Sequence, residues 1–144
     1  MTEQPRDETA AGERRQAAPE SLRLRTLSPA LTVNDLAASL SFYTEALGFT
    51  VEERWEEEGE LKGVMLVAGN SHLGLSQDDW AKGRDRENGV GFRIFAETAQ
   101  DLDELARRLR EHGVEPDGPK DDPWGTRSLT VTDPDGFKLT LSAG

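Results

Sequence analysis

The chain has 144 residues, 35% of them hydrophobic and 31% charged, and its formal net charge at pH 7 is −11. This length suits one domain with its own core, while the negative charge disfavours nucleic acid because like charges repel the phosphate backbone. The absence of cysteine excludes disulfides, thiolate nucleophiles and zinc–cysteine sites, and the two histidines, His72 and His112, limit metal chemistry.

The first 22 residues carry almost no large apolar side chain, so they predict a flexible N-terminal tail followed by a single domain over 23–144. The N-terminus has no apolar region of the kind found in secretory signals, and no stretch approaches the roughly 20 apolar residues of a membrane span. We therefore expect a cytoplasmic protein that does not contact membranes.

Residues 26–77 predict a strand, a helix and three further strands. LSPALTV alternates like a strand with one buried face, and Asn34-Asp35 offers a helix N-cap. LAASLSFYTEALG has apolar residues at helical spacing and ends at Gly48, a typical helix stop. The three strands that follow begin at Phe49, at LKGVMLVAG and at SHLGLSQ.

Residues 88–143 repeat this order after the polar connector DDWAKGRDRENG. VGFRIFA predicts a strand, and TAQDLDELARRLREHG predicts an amphipathic helix. His112 lies at the C-terminal end of this helix, where a cationic side chain interacts favourably with the negative end of the helix dipole. Val114 is predicted to start a short strand and PDGPKDDPWG to form a loop. SLTVT and FKLTLS predict the last two strands, joined by the turn DPDG.

Two βαβββ modules, 26–77 and 88–143, thus predict an α+β fold. Neither module can close a core alone, so the two should pack together and curve their mixed sheets into a cup.

Three segments resemble the vicinal oxygen chelate superfamily, which includes glyoxalase I, extradiol dioxygenases, fosfomycin resistance proteins and bleomycin-binding proteins. They are ALTVNDLAASLSFYTEALGF, GVGFRIFAETAQDLDELARRLREHGV and PWGTRSLTVTDPDGFKLTL. The resemblance implies the paired-module cup and a homodimer. In the metalloenzymes of the superfamily, four inward side chains, usually His or Glu, hold one divalent metal. They come from the first and last strands of each module, so the resemblance marks four positions to compare in this chain.

In this chain, the four corresponding positions are Ser28, Gly74, Gly89 and Thr140. None is an imidazole or a carboxylate, the groups that such metal ions need. We therefore expect no metal and no other cofactor. The role of the DPDG segment is that of a turn. Position 140, where the metalloenzymes place a ligand, is a threonine and carries no carboxylate.

The predicted inward residues are mostly small or hydroxyl-bearing, which leaves room for an organic ligand. Two tryptophans outside the strands, Trp80 and Trp124, could stack on planar or cationic groups. A second interpretation is that larger side chains such as Trp55 or Met65 fill this space, and that His72 is an ordinary hydrogen-bonded strand residue. The candidate ligand-binding residues are Ser28, Thr32, His72, Gly74, Gly89, Arg93, Trp124, Lys138 and Thr140.

Three functions stay open at this point. The first, which we favour, is a metal-free protein that binds a small organic ligand of cationic or aromatic character, like the drug-sequestering members of the superfamily. The second is a metal-dependent lyase, isomerase or dioxygenase, supported by the fold alone. The third is a structural or regulatory module without a ligand. No catalytic residue can be assigned, so whether the protein is an enzyme is undecided, with the residues favouring a binding role.

Overall fold

The computed structural model describes residues 22–85, 87–123 and 125–143. The N-terminal tail predicted over 1–22 lies almost wholly outside these residues, and so does Trp124. None of the described helices is long and apolar enough to cross a membrane.

Ten elements follow in chain order, and the first helix is extended by a π-helical turn, Phe42–Ala46. Their bounds are β1 Ala30–Val33, α1 Leu36–Ser41, β2 Thr50–Glu57, β3 Glu60–Ala68, β4 Ser71–Gln77, β5 Arg93–Thr98, α2 Leu102–Glu111, β6 Asp117–Asp121, β7 Arg127–Thr132 and β8 Lys138–Ala143.

The strands form two four-stranded mixed sheets with the same topology. The order is β1-β4-β3-β2 in the first sheet and β5-β8-β7-β6 in the second. In each sheet the first strand of the module runs parallel to the last one, and the remaining pairs are antiparallel. The predicted α+β fold of two βαβββ modules is confirmed.

Each helix begins at an aspartate and covers one sheet. Asp35 accepts a hydrogen bond from the Ala38 N–H at 3.2 Å, and Asp101 accepts one from the Asp103 N–H at 2.9 Å, which satisfies N–H groups left free at a helix start. The second helix ends as predicted, with His112 Nδ1 2.9 Å from the Arg108 carbonyl oxygen.

One continuous core joins the two modules. Apolar side chains from both helices and from the alternating strand positions are buried together: Leu31, Val33, Leu36, Tyr43, Val64, Leu66, Leu73, Leu75, Leu102, Ala106, Leu109, Leu129, Val131 and Leu139. The strand residues between these positions face away from the helices. We call this second side of each sheet its inner face.

The DPDG turn of the second module docks on the first helix. Asp133 is 5% exposed, and its Oδ2 accepts the Tyr43 hydroxyl at 2.7 Å while its Oδ1 accepts the N–H groups of Asp135 and Phe137. Asp135 Oδ2 in turn accepts the N–H of Asn34 at 2.6 Å. The turn is therefore both a hairpin connection and a buried polar contact between the modules, beside the Arg108 guanidinium, which donates to the carbonyl oxygens of Glu45 and Ala46.

These contacts change the pKa values of two of the groups. Burial raises the pKa of the Tyr43 hydroxyl, and the negative charge of Asp133 raises it further. Burial also raises the pKa of Asp135, against the lowering effect of the Asn34 N–H. Tyr43 is therefore held as a neutral hydrogen-bond donor.

Two predicted strands of the second module are wrong in their bounds. β5 begins at Arg93 and not at Val90, because Gly89 and Gly91 have φ angles of +84° and +72°, which a strand does not tolerate. No strand starts at Val114. The strand lies instead within the predicted loop, as β6, Asp117–Asp121.

Candidate functional site

The inner face of the first sheet is a grid of side chains fixed by strand register. Across its four strands, one row is Thr32, Ser76, Gly63 and Trp55, and the next is Ala30, Gly74, Met65 and Glu53. Thr32 and Gly74 thus share the face predicted for them. The second interpretation also holds in part, because Trp55 and Met65 lie on this face too.

Gly74 lies beneath the Met65 side chain. A Cβ atom added at Gly74 would be 3.7 Å from the Met65 methyl carbon and 3.5 Å from the Ala30 Cβ. These are ordinary contact distances, so a larger ligating side chain at position 74 would have to displace Met65.

His72 lies on the same face and pairs with a carboxylate that the sequence did not reveal. Its Nε2 is 3.3 Å from Glu52 Oε1, and both side chains are partly exposed. Glu52 reaches this position because the register of β2 shifts between Val51 and Glu53, as at a β-bulge. A bulge cannot be located from alternation, so only the abundance of acids along β2 hinted at this pair.

The inner face of the second sheet carries hydroxyl groups and two cations. Arg93 and Lys138 are neighbours in one row, and Phe95, Thr140 and Thr130 form the next. Both cationic side chains are exposed, and the Lys138 Nζ donates to the Thr132 hydroxyl at 3.1 Å.

Thr140, the fourth of the positions at which the superfamily's metalloenzymes place a ligand, is 7% exposed. Its hydroxyl lies 2.8 Å from the Thr130 hydroxyl, so it has a polar partner within the sheet. Phe95, two residues beyond Arg93 on the same face, is 74% exposed and was missing from the predicted set. The two-residue strand period would have placed it there.

Two of the predicted site residues lie outside the strands, and a third is not described. Ser28 precedes β1 and is half-buried. Gly89 is not an inward strand position but part of the turn before β5, where an added Cβ would be only 2.5 Å from the Gly136 carbonyl oxygen. The prediction for Trp124 falls outside the described residues.

A groove that sequence analysis did not identify opens beside Trp55. It has a volume of about 350 Å³ and lies between the end of the β2–β3 hairpin and the residues that follow β4. Its lining residues include Trp55, Lys62 and four acids, Glu56, Glu57, Asp78 and Asp79. The run of glutamates in β2 was the available signal, but the sequence did not show that Asp78 and Asp79 would face it.

The residues at the four superfamily positions do not fit a divalent metal, since two are glycines and two carry only hydroxyl groups. Within residues 22–85, 87–123 and 125–143, no group of three or more His, Asp or Glu side chains is arranged to hold a metal ion. The His72–Glu52 pair supplies two potential ligands, fewer than the three or four protein ligands of zinc sites.

Comparison with known proteins decides the family. The sequence model of the glyoxalase/bleomycin resistance protein/dioxygenase superfamily matches residues 25–141. The chain belongs to this superfamily. A glutathione transferase, FosA, from Serratia marcescens is 31% identical over 115 residues, which cover 79% of this chain and 77% of that protein.

Two solved structures share the fold. One, a superfamily member from Sphaerobacter thermophilus, is 28% identical with a TM-score of 0.68, covering 85% of this chain and 98% of that one. The other, TnmS3, an antibiotic-binding protein from a Streptomyces species, is 25% identical with a TM-score of 0.66 and the same coverage. The relatives of this chain therefore include both a glutathione transferase and an antibiotic-binding protein.

Proposed function

We propose that this protein binds a small organic ligand without a metal ion, as a binding protein and not as a metalloenzyme. The residues at the four superfamily positions carry this proposal: Ser28, Gly74, Gly89 and Thr140 cannot supply the imidazole or carboxylate ligands that metal-dependent chemistry needs. The antibiotic-binding relative supports a binding role on the same fold.

The ligand site that we propose is formed by the two inner faces. The first face offers Thr32, His72 and the Met65 side chain that covers Gly74, and the second offers Arg93, Lys138 and Thr140. Ser28, Gly89 and Trp124 stay predictions as pocket residues. A few polar anchors among apolar and aromatic side chains, here Met65, Trp55 and Phe95, are what an organic ligand site requires.

The glutathione transferase relative raises a second candidate, transfer of a group to a small molecule. This candidate would need a catalytic centre, and the His72–Glu52 pair is the only histidine–carboxylate pair that the described residues place on an inner face. We rank it second because a single such pair, without further ligands or an identified nucleophile, defines no reaction.

We also propose that two copies of the chain form a homodimer that completes the cup. β1 and β5 end their sheets in the strand order, so each presents an edge to which a second copy can pair. Phe95 on β5 and Val90 just before it are exposed, at 74% and 75%. Sedimentation should give twice the chain mass of 15.9 kDa, and Phe95→Lys should shift the protein toward the monomer. A monomeric parent protein would refute the dimer.

The ligand screen that tests the proposal uses tryptophan fluorescence in the presence of a chelator. Cationic and aromatic compounds are titrated into the untagged protein with and without excess EDTA. We expect at least one compound to bind saturably with the same affinity in both conditions. Binding that appears only after a divalent metal is added back would overturn the proposal in favour of a metalloenzyme.

A cytoplasmic location stays a prediction from the sequence.

A further inference from the structure

The groove beside Trp55 is lined by residues of β2, β3 and the end of β4 and by the two acids that follow β4. Trp55 is in β2, next to the exposed acids Glu56 and Glu57, and Asp79 follows β4 on the facing side. Its volume of about 350 Å³ is within the range of pockets that hold small organic molecules.

Trp55 is fixed in place and still exposed. It lies opposite Gly63 in the register, and an added Cβ at Gly63 would be 3.3 Å from the Trp55 Cε3 atom, so the ring packs over the glycine. The residue nevertheless keeps 47% of its surface exposed. By contrast, the Trp80 ring is already covered by the Arg84 guanidinium, 4.3 Å from the ring centroid.

Gln77, the last residue of β4, lines the groove and is fixed by its own hydrogen bonds. Its Oε1 accepts the Leu36 N–H at 2.9 Å, and its Nε2 donates to the Asn34 carbonyl oxygen at 2.7 Å, which ties the end of β4 to the start of α1. Beside it, the buried carboxylate of Asp78 accepts the Trp80 N–H at 2.8 Å. A ligand would therefore meet a surface that needs little reordering.

The charge of the groove selects for a cation. Glu56, Glu57 and Asp79 are exposed acids of the lining, and Lys62 is the one cationic residue among the described residues that line the groove. The Lys62 ammonium forms an ion pair at 3.0 Å with Glu60, a residue that is not part of the lining. An anionic ligand would be repelled, and a cation over the face of an indole ring is attracted by the ring quadrupole.

We infer that this groove binds a planar cationic group of an organic ligand, stacked on Trp55 with its charge facing Glu56, Glu57 and Asp79. The inference rests on the proposed binding function and specifies its ligand class. Because Trp55 shares a row with Ser76 and Thr32, the rest of such a ligand extends over the inner face of the first sheet.

The test uses a permanent planar cation, N-methylacridinium, and its shape-matched neutral counterpart, acridine at pH 8. The W80F/W124F variant leaves Trp55 as the single tryptophan of the chain. In ¹⁵N-labelled protein its one indole N–H signal should shift saturably with N-methylacridinium. Acridine should bind at least tenfold more weakly by calorimetry, since it lacks the charge.

Variants of the full chain then separate the stacking surface from the charge. Trp55→Leu should weaken N-methylacridinium binding by about tenfold or more. The triple change E56Q/E57Q/D79N should also weaken binding of the cation but leave acridine unaffected. Lys62→Gln should strengthen cation binding by a few fold, a gain that an unfolded variant cannot imitate.

A matched control removes the same charge elsewhere. E104Q/E111Q/E115Q neutralises three exposed carboxylates on and after α2, far along the chain from the groove, and should leave the affinity within about twofold. An equal loss in this control would show that net charge, not the groove, attracts the cation, and would overturn the inference.

Failure of the groove can be told from failure of the binding function. If Trp55→Leu binds N-methylacridinium as tightly as the parent, the groove assignment is wrong, while binding of a small molecule elsewhere stands. If neither N-methylacridinium nor any compound of the fluorescence screen binds, both the groove and the proposed function are refuted.

Discussion

Tyr43→Phe tests whether the DPDG turn fastens the two modules together. The change removes only the hydroxyl that donates to Asp133 Oδ2 at 2.7 Å, and both residues are at most 5% exposed. The ring and its edge-to-face contacts with Phe42 and Phe49 stay in place, so no large cavity forms.

The expected cost follows from leaving a buried carboxylate oxygen short of a donor. A hydrogen bond to a charged group contributes about 1.5–3 kcal/mol, and the Asp133 oxygen that loses the hydroxyl has no second hydrogen bond among those described above. We therefore expect the free energy of unfolding to fall by about 2–3 kcal/mol, which for a domain of this size lowers Tm by roughly 10 °C.

Urea unfolding followed by tryptophan fluorescence measures this loss. The midpoint should fall while the m-value stays constant, because the surface exposed on unfolding does not change. Thr50→Val is the control: it also removes a hydroxyl, but an exposed one that donates to the Val67 carbonyl at 3.3 Å, and it should cost less than about 0.5 kcal/mol. A Tyr43→Phe protein within that same limit of the parent would refute the role of the turn.

Three further changes test the geometry. Because the folded pKa of Asp135 is raised, its contribution to stability is present at low pH and is lost as pH rises through that pKa; Asp135→Asn should therefore gain Tm relative to the parent as pH rises through that pKa, and a Tm difference that does not change with pH would contradict the assignment. Gly89→Ala should cost at least about 2 kcal/mol, more than Gly91→Ala, which meets only the penalty of a positive φ angle; equal costs in urea titrations would show that the close backbone contact is absent. Gly63→Ala should shift the tryptophan emission maximum by displacing the indole ring packed over it, whereas an unchanged spectrum would place the ring elsewhere.

The repeated βαβββ order could be predicted because most of its elements carry their own local signal. The helices show apolar residues at helical spacing behind an aspartate cap, and the core strands alternate, as in the buried Leu31 and Val33. The DPDG turn could be recognised in the same way. Its contact with Tyr43 could not, since 90 residues separate Tyr43 from Asp133 in the chain.

The two misplaced strands show where local signals fail. VGFRIFA alternates like a strand over its whole length, but the positive φ angles of Gly89 and Gly91 delay β5 to Arg93. β6 contains Gly118 and Pro119, which usually indicate a loop, and it is a strand only because it pairs with β7 at the edge of the sheet.

The candidate site was only partly predictable for the same reason. Strand period placed Thr32, Gly74 and Thr140 on inner faces, but the partners of His72 and Trp55 depend on the register between strands. The β2 bulge that brings Glu52 to His72 is a feature of that pairing and leaves no mark in the alternation of β2.

Metal content and metal binding of the untagged, chelator-free protein test the central claim most directly. Elemental analysis should find no stoichiometric metal, and calorimetry with Ni, Zn, Mn and Fe(II) should show no tight site, because Ser28, Gly74, Gly89 and Thr140 offer no suitable ligands. One tightly bound metal ion per protein chain would contradict the proposed metal-free function. The search would then turn to substrates of metal-dependent lyases, dioxygenases and transferases.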